Sequence, residues 1–169
     1  MFRYRQERGD FDSGIPLFEL GTQICAESPD DVLDLRADLS FGLGSAACDT
    51  NRWPEFLVHA QDQLDYRLRS DVANSNAPAS KTAIAYSELG LALALMGEYE
   101  DGVQNCDRAI QLYANQADVV DGSFFPAFPE IHRALALVGA GRPQEGEQGL
   151  LNLIAWHETR FGPQHTEFK

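Results

Sequence analysis

The chain has 169 residues and carries 13 Lys and Arg against 26 Asp and Glu, a formal charge of −13. That length is enough for one core of ordinary size, and no apolar run approaches the roughly 20 residues that a membrane-spanning helix needs. An acidic surface with lysine only at Lys81 and Lys169 offers no basic stripe for phosphate, so neither nucleic acid nor membrane is an expected partner.

The opening MFRYRQERGDF is charged and lacks the apolar core of a secretion signal, so the mature chain is expected to begin near Met1 and to be cytoplasmic. Cys25, Cys48 and Cys106 are odd in number, far apart and without a CxxC pair. They read as reduced, buried packing residues rather than a disulfide framework or a zinc site. Apolar periodicity then predicts helices at about 2–8 and 12–27, with Pro16 inside the first turn of the second. Ser28-Pro29-Asp30-Asp31 supplies an N-cap, a Pro at the first helical position and acids in the first turn, opening a helix over 30–49. Further helices are predicted over 53–72, 81–96, 99–115, 127–140 and 143–161, the last ended by Phe161-Gly162-Pro163. No strand pattern competes.

The chain also resembles itself. Gly97-Glu98-Tyr99-Glu100-Asp101-Gly102 matches Gly9-Asp10-Phe11-Asp12-Ser13-Gly14 and Gly141-Arg142-Pro143-Gln144-Glu145-Gly146, with a degenerate copy at Asn51-Arg52-Trp53-Pro54-Glu55-Phe56. The turn starts at 9, 51, 97 and 141 lie 42, 46 and 44 residues apart. Nine residues before Trp53, Tyr99 and Pro143 stand Gly44, Gly90 and Ala134, small residues suited to a close helix crossing. Apolar or small residues at helical spacing follow each turn, as in Val103, Cys106, Ala109, Ile110 and Tyr113. Each unit is a helical hairpin, and the approximate units are 1–29, 30–72, 80–115 and 127–165 in a single array over 1–169.

Tyr86-x-x-Leu89-Gly90-x-x-Leu93, followed by Gly97-x-Tyr99-x-x-Gly102-x-x-x-Cys106-x-x-Ala109, resembles the tetratricopeptide repeat signature. The long period and the closing Arg160-Phe161-Gly162-Pro163-Gln164-His165-Thr166 are similar to the extended repeats of kinesin light chains and to fungal multi-helix repeat proteins. The pattern departs at the usual Ala early in the second helix, which is Gly14, Gly102 and Gly146 here and Phe56 in the second unit. The usual repeat-closing Pro is also absent, with Ala114 in its place in the third unit. The resemblance implies an all-α fold of antiparallel helical hairpins stacked as a right-handed superhelix, with a concave groove for extended peptides. Groove-facing positions carried over residue by residue are Arg3, Asp38, Phe41, Ser45, Asp49, Ile84, Ser87, Leu91, Leu95, Phe128, Ile131 and Leu135, together with Gln6 and Glu7.

Only Arg3 among these could grip a carboxylate, which argues against the clamp that some members of the family close on a chaperone C-terminus. The apolar wall suits a protein partner presenting a hydrophobic peptide or helix, and the neighbouring acids favour basic flanks on it. The stretch Asp121 to Pro129, with three Phe and two Pro, reads as a satellite core or a docking point. Glu27, Asp30, Asp31, Asp34 and Asp38 read as a solvated acidic face.

No catalytic chemistry is legible. His59, His132, His157 and His165 fall in different units without a helical zinc spacing, and there is neither a phosphate loop nor a GxSxG turn. A closed pocket holding His132 or His157 beside an acid would be the observation that favours an enzyme. The expected role is a non-catalytic protein-interaction scaffold without metal or cofactor. Phe2, Trp156 and Phe168 leave apolar material near both ends, which predicts a homo-dimer or contact with further repeats. The alternatives are an oligomerisation or sensor arm of a larger signalling protein, or a groove for a small hydrophobic ligand.

Overall fold

The computed structural model describes residues 14–26, 32–73, 79–114 and 127–162, the side chains of 160 and 161 excepted. Among them lie seven helices and no strand: α1 Ile15–Ala26, α2 Leu33–Asp49, α3 Trp53–Ala73, α4 Ala79–Leu95, α5 Tyr99–Ala114, α6 Ala127–Gly139 and α7 Pro143–Phe161. None of the described helices is long and apolar enough to cross a membrane. The predicted helix at 2–8, the Ser28 cap and the first repeat turn up to Ser13 lie outside the described residues. α2 starts at Leu33, three residues later than predicted, behind Val32, which makes no side-chain cap bond.

Three hairpin turns share one hydrogen-bond pattern. Asn51, Gly97 and Gly141 take the left-handed conformation, with φ of 58°, 88° and 76°. The amide of each bonds the carbonyl three residues back, and the next amide reaches five back, as Arg52 N to Ala47 O, Glu98 N to Leu93 O and Arg142 N to Leu137 O at 2.8–2.9 Å. This double closure satisfies the orphan carbonyls at a helix C-terminus and needs a positive φ at its corner. The degenerate copy at Asn51 is therefore a true structural equivalent of the two glycine copies, because Asn tolerates that region better than most residues.

The chain divides into two compact units, Met1–Ala85 and Tyr86–Lys169, with the boundary inside α4. In the first, α1 lies on α2 with the Phe18 ring over Gly42 and Leu39 against Gly21. α2 and α3 then cross where a methyl on Gly44 would meet His59 Cβ at 3.3 Å and Phe56 Cδ2 at 3.4 Å. The buried face of this hairpin is mostly small, with Ala37, Ala46, Ala47 and Ala60 around Leu33, Phe56 and Leu64.

In the second unit α4 and α5 meet backbone to backbone. A methyl on Gly102 would stand 2.9 Å from Gly90 O, and one on Gly90 would stand 2.9 Å from Gly102 O and 2.5 Å from Cys106 Sγ. α6 and α7 repeat the crossing at Ala134 and Gly146, 3.1 Å by the same measure. Ala94 and Val103 join Ala136 and Leu137 in one buried cluster, and the Tyr99 ring lies on Gly139. The small residues predicted to mark close crossings do so in all three hairpins.

Candidate functional site

α6 is two-sided. Pro129, His132, Ala134, Ala136 and Leu137 are buried, while Phe128, Ile131, Leu135 and Val138 are 43%, 41%, 47% and 56% exposed. Their spacing of three, four and three residues puts these four on one stripe of the helix. Leu91 and Leu95 of α4 are half-buried. Ser87, placed in the groove by the resemblance, is instead buried: its Oγ lies 2.9 Å and its carbonyl oxygen 3.1 Å from His132 Nδ1. A carbonyl only accepts, so Nδ1 carries the proton of the neutral ring and donates it to Ser87. Burial holds the His132 pKa below the usual histidine value, partly offset by that backbone bond. His157 is also buried, beside the Trp156 ring, and the His132 ring lies 6.0 Å from the Phe128 ring, centroid to centroid.

In the first unit, Phe41 and Asp49 are exposed and Ser45 and Ile84 half-buried, while Arg3 lies outside the described residues, as do Gln6 and Glu7. Asp38 and Asp34 do more than solvate a face. The Arg67 side chain, 4% exposed, reaches from α3 to bond Asp34 Oδ1 at 2.7 Å through Nη1 and Asp38 through Nη2. Ser70 Oγ donates to the same Asp34 oxygen at 2.9 Å, and Lys81 Nζ stands 3.7 Å from the other. Burial alone would raise the Asp34 carboxyl, but Ser70, Lys81 and Arg67 together outweigh it and hold the pKa below the usual aspartate value. Glu27, Asp30 and Asp31 of that acidic stretch, and Asp121 to Pro126 of the aromatic one, lie outside the described residues.

The first unit also holds a cavity of about 120 Å³ lined by Thr22, Ala26, Arg36, Leu39, Ser40, Leu43, His59, Asp62 and Tyr66. Arg36 donates through Nη2 to Cys25 O and lies 5.8 Å from the Tyr66 ring centroid. Burial lowers the His59 pKa, with Arg52 adding to it against Asp62 and Glu55. Burial also raises Asp62, with Asp65 adding and His59 opposing. The sequence signal for this cavity was available. His59, Asp62 and Tyr66 recur at spacings of three and four on α3, as do Arg36, Ser40 and Leu43 on α2, but polar residues at helical spacing more often mark a solvated face.

No family model matches the chain, and no curated protein matches it. Among the described residues no group of three or more His, Cys, Asp and Glu could hold a metal ion. Cys25, Cys48 and Cys106 are free thiols: Cys25 and Cys106 are buried, and Cys48 is half-buried. Burial, with Asp107 adding, pushes the Cys106 thiol up to about 12, which suits packing rather than nucleophilic chemistry.

Proposed function

We propose that the chain is a tetratricopeptide-like, non-catalytic scaffold for protein interaction, with the superhelical stacking that its resemblance implies. In this reading it acts in the cytoplasm and takes a partner's amphipathic helix or hydrophobic peptide on the second unit. The observation that carries this is the exposed stripe Phe128, Ile131, Leu135 and Val138 on a helix whose opposite face is fully packed. A repeated hairpin turn and a repeated small-residue crossing support the family reading. The buried free thiols agree with a reducing compartment.

Residues 86–169 hold twelve acids against five bases, so the favoured partner places Lys or Arg beside its apolar anchors. The test is fluorescence anisotropy with a labelled leucine-striped helical peptide carrying lysine flanks, and a second with glutamate flanks. The lysine-flanked peptide should bind more tightly, and Ile131→Asp and Leu135→Asp should each weaken it by about tenfold or more. Both positions are over 40% exposed, so the folded state should survive the changes. Equal binding to wild type and both variants would remove the stripe as the binding surface.

A further inference from the structure

The α6–α7 hairpin has one side turned toward α5 and one side open. Arg133 Nε bonds Asp107 of α5 at 2.5 Å, and a methyl built on Gly149 would stand 3.8 Å from Arg133 Nη1, so Arg133 and Gly149 mark the α5 side of their helices. Helical geometry puts Ile131 and Val138, two residues before Arg133 and five after it, on the opposite side of α6. Leu151 and Ile154, two and five residues beyond Gly149, are likewise opposite on α7, where they are 52% and 44% exposed. Glu147 and Glu158, each one turn further along the same edge, are exposed at its two ends. The hairpin thus presents one apolar side, spread over two helices and flanked by acids.

A second apolar stripe lies on α1. That helix has a single charged residue, Glu19, among its twelve, and Phe18 and Gly21 face α2. Leu17, Leu20 and Ile24, at spacings of three and four, form a separate stripe and are 52%, 52% and 60% exposed. A helix apolar on both faces is built to be covered on both. We propose that the open side of α6–α7 docks the α1 stripe of a second copy of this chain, so that copies associate head to tail. The inference rests on the α6 stripe being a docking surface, and it names the occupant. Charge selects this pairing over the symmetric one. Two α6–α7 sides facing each other would oppose Glu147 and Glu158 to the same carboxylates, whereas the stretch leading into α1 carries Arg3, Arg5 and Arg8 against Glu7 over residues 1–8. The charge of −13 on each copy opposes approach and makes the contact a weak one, although salt at about 0.15 M screens that repulsion beyond about 8 Å.

The test is sedimentation velocity of the full chain over a concentration series in about 0.15 M salt. Wild type should form dimers and larger species with a Kd on the order of 100 µM. Leu20→Asp and Ile154→Asp, at positions 52% and 44% exposed, should each stay monomeric over the same range with the melting temperature unchanged. Mixed in equal amounts, they should form a heterodimer that grows no further, because the first keeps an intact α6–α7 side and the second an intact α1. The lysine-flanked peptide should still bind Leu20→Asp, which shows that variant to be folded. A wild type that is monomeric throughout overturns the proposal, as does a Leu20→Asp protein that associates like wild type or a mixture without heterodimer. The peptide also separates the two readings. Peptide binding by a monomeric wild type overturns self-association alone, and loss of both overturns the α6 stripe as a docking surface.

Discussion

At Gly102 an added methyl would sit 2.9 Å from Gly90 O and 3.3 Å from Ala94 N, both backbone atoms that no rotamer change can move aside. Alanine gains about 1 kcal/mol of helix propensity over glycine, but overpacking a tight contact costs about 1–3 kcal/mol. The second effect wins where the clash is with backbone. Gly102→Ala should therefore lower the melting temperature, and Gly90→Ala should lower it further because its methyl would also meet Cys106 Sγ at 2.5 Å. Gly146→Ala, at 3.1 Å from Ala134 O, should cost least. Thermal melts of the three variants check the order, and a Gly102→Ala protein as stable as wild type would show that the hairpin relaxes freely. Gly102 and Gly146, at the same repeat position, are thus explained by distance. Phe56, the exception, fits because its ring lies beside Gly44.

At the scale of the hairpin, the turn corner is a matter of backbone angle alone. Nothing lies within 4 Å of a methyl built on Gly97, whose φ is +88°. A left-handed residue with a Cβ costs roughly 1–2 kcal/mol, less for Asn. Asn51→Ala should then destabilise by about 1 kcal/mol while Asn51→Gly does not, and urea unfolding of the pair measures the difference. Equal loss in both would mean the Asn side chain, rather than its φ, holds the turn. The turns and crossings were legible in the sequence because Gly, Asn and Pro carry their meaning locally, and a repeat states it more than once. Asp34 and Asp38 were not: a carboxylate at helical spacing reads as solvated until a cation thirty residues away is folded against it, as Arg67 is. Ser87 escaped for the same reason, since only the pairing of α4 with α6 brings His132 to it. The cavity residues needed three helices at once, and no single window of sequence contains them.

For the molecule as a whole, pH acts through two histidines kept neutral by burial, His132 and His59. Both folded pKa values lie below the ordinary 6.5, so the unfolded chain takes up protons first as the pH drops. The stability they contribute is complete above pH 6.5 and is lost as the pH falls from there through the folded values. Glu130 and Asp62, raised mainly by burial, return some stability only at lower pH, as they protonate more readily in the folded state. Urea midpoints should therefore decline between about pH 7 and pH 5.5. His132→Gln should flatten that decline, since its amide can still donate to Ser87 O without titrating. A midpoint that stays level in the wild type would contradict the neutral-ring assignment. Arg67 carries a different consequence, for ionic strength. Dissolved ions screen charges that face water far more than those that do not, and the Arg67 side chain is only 4% exposed while the chain as a whole carries −13. Added salt relaxes the mutual repulsion of the exposed carboxylates, while Arg67 itself stays sheltered at the buried end of its pairs with the half-exposed Asp34 and Asp38, so this acidic protein is one that brine steadies.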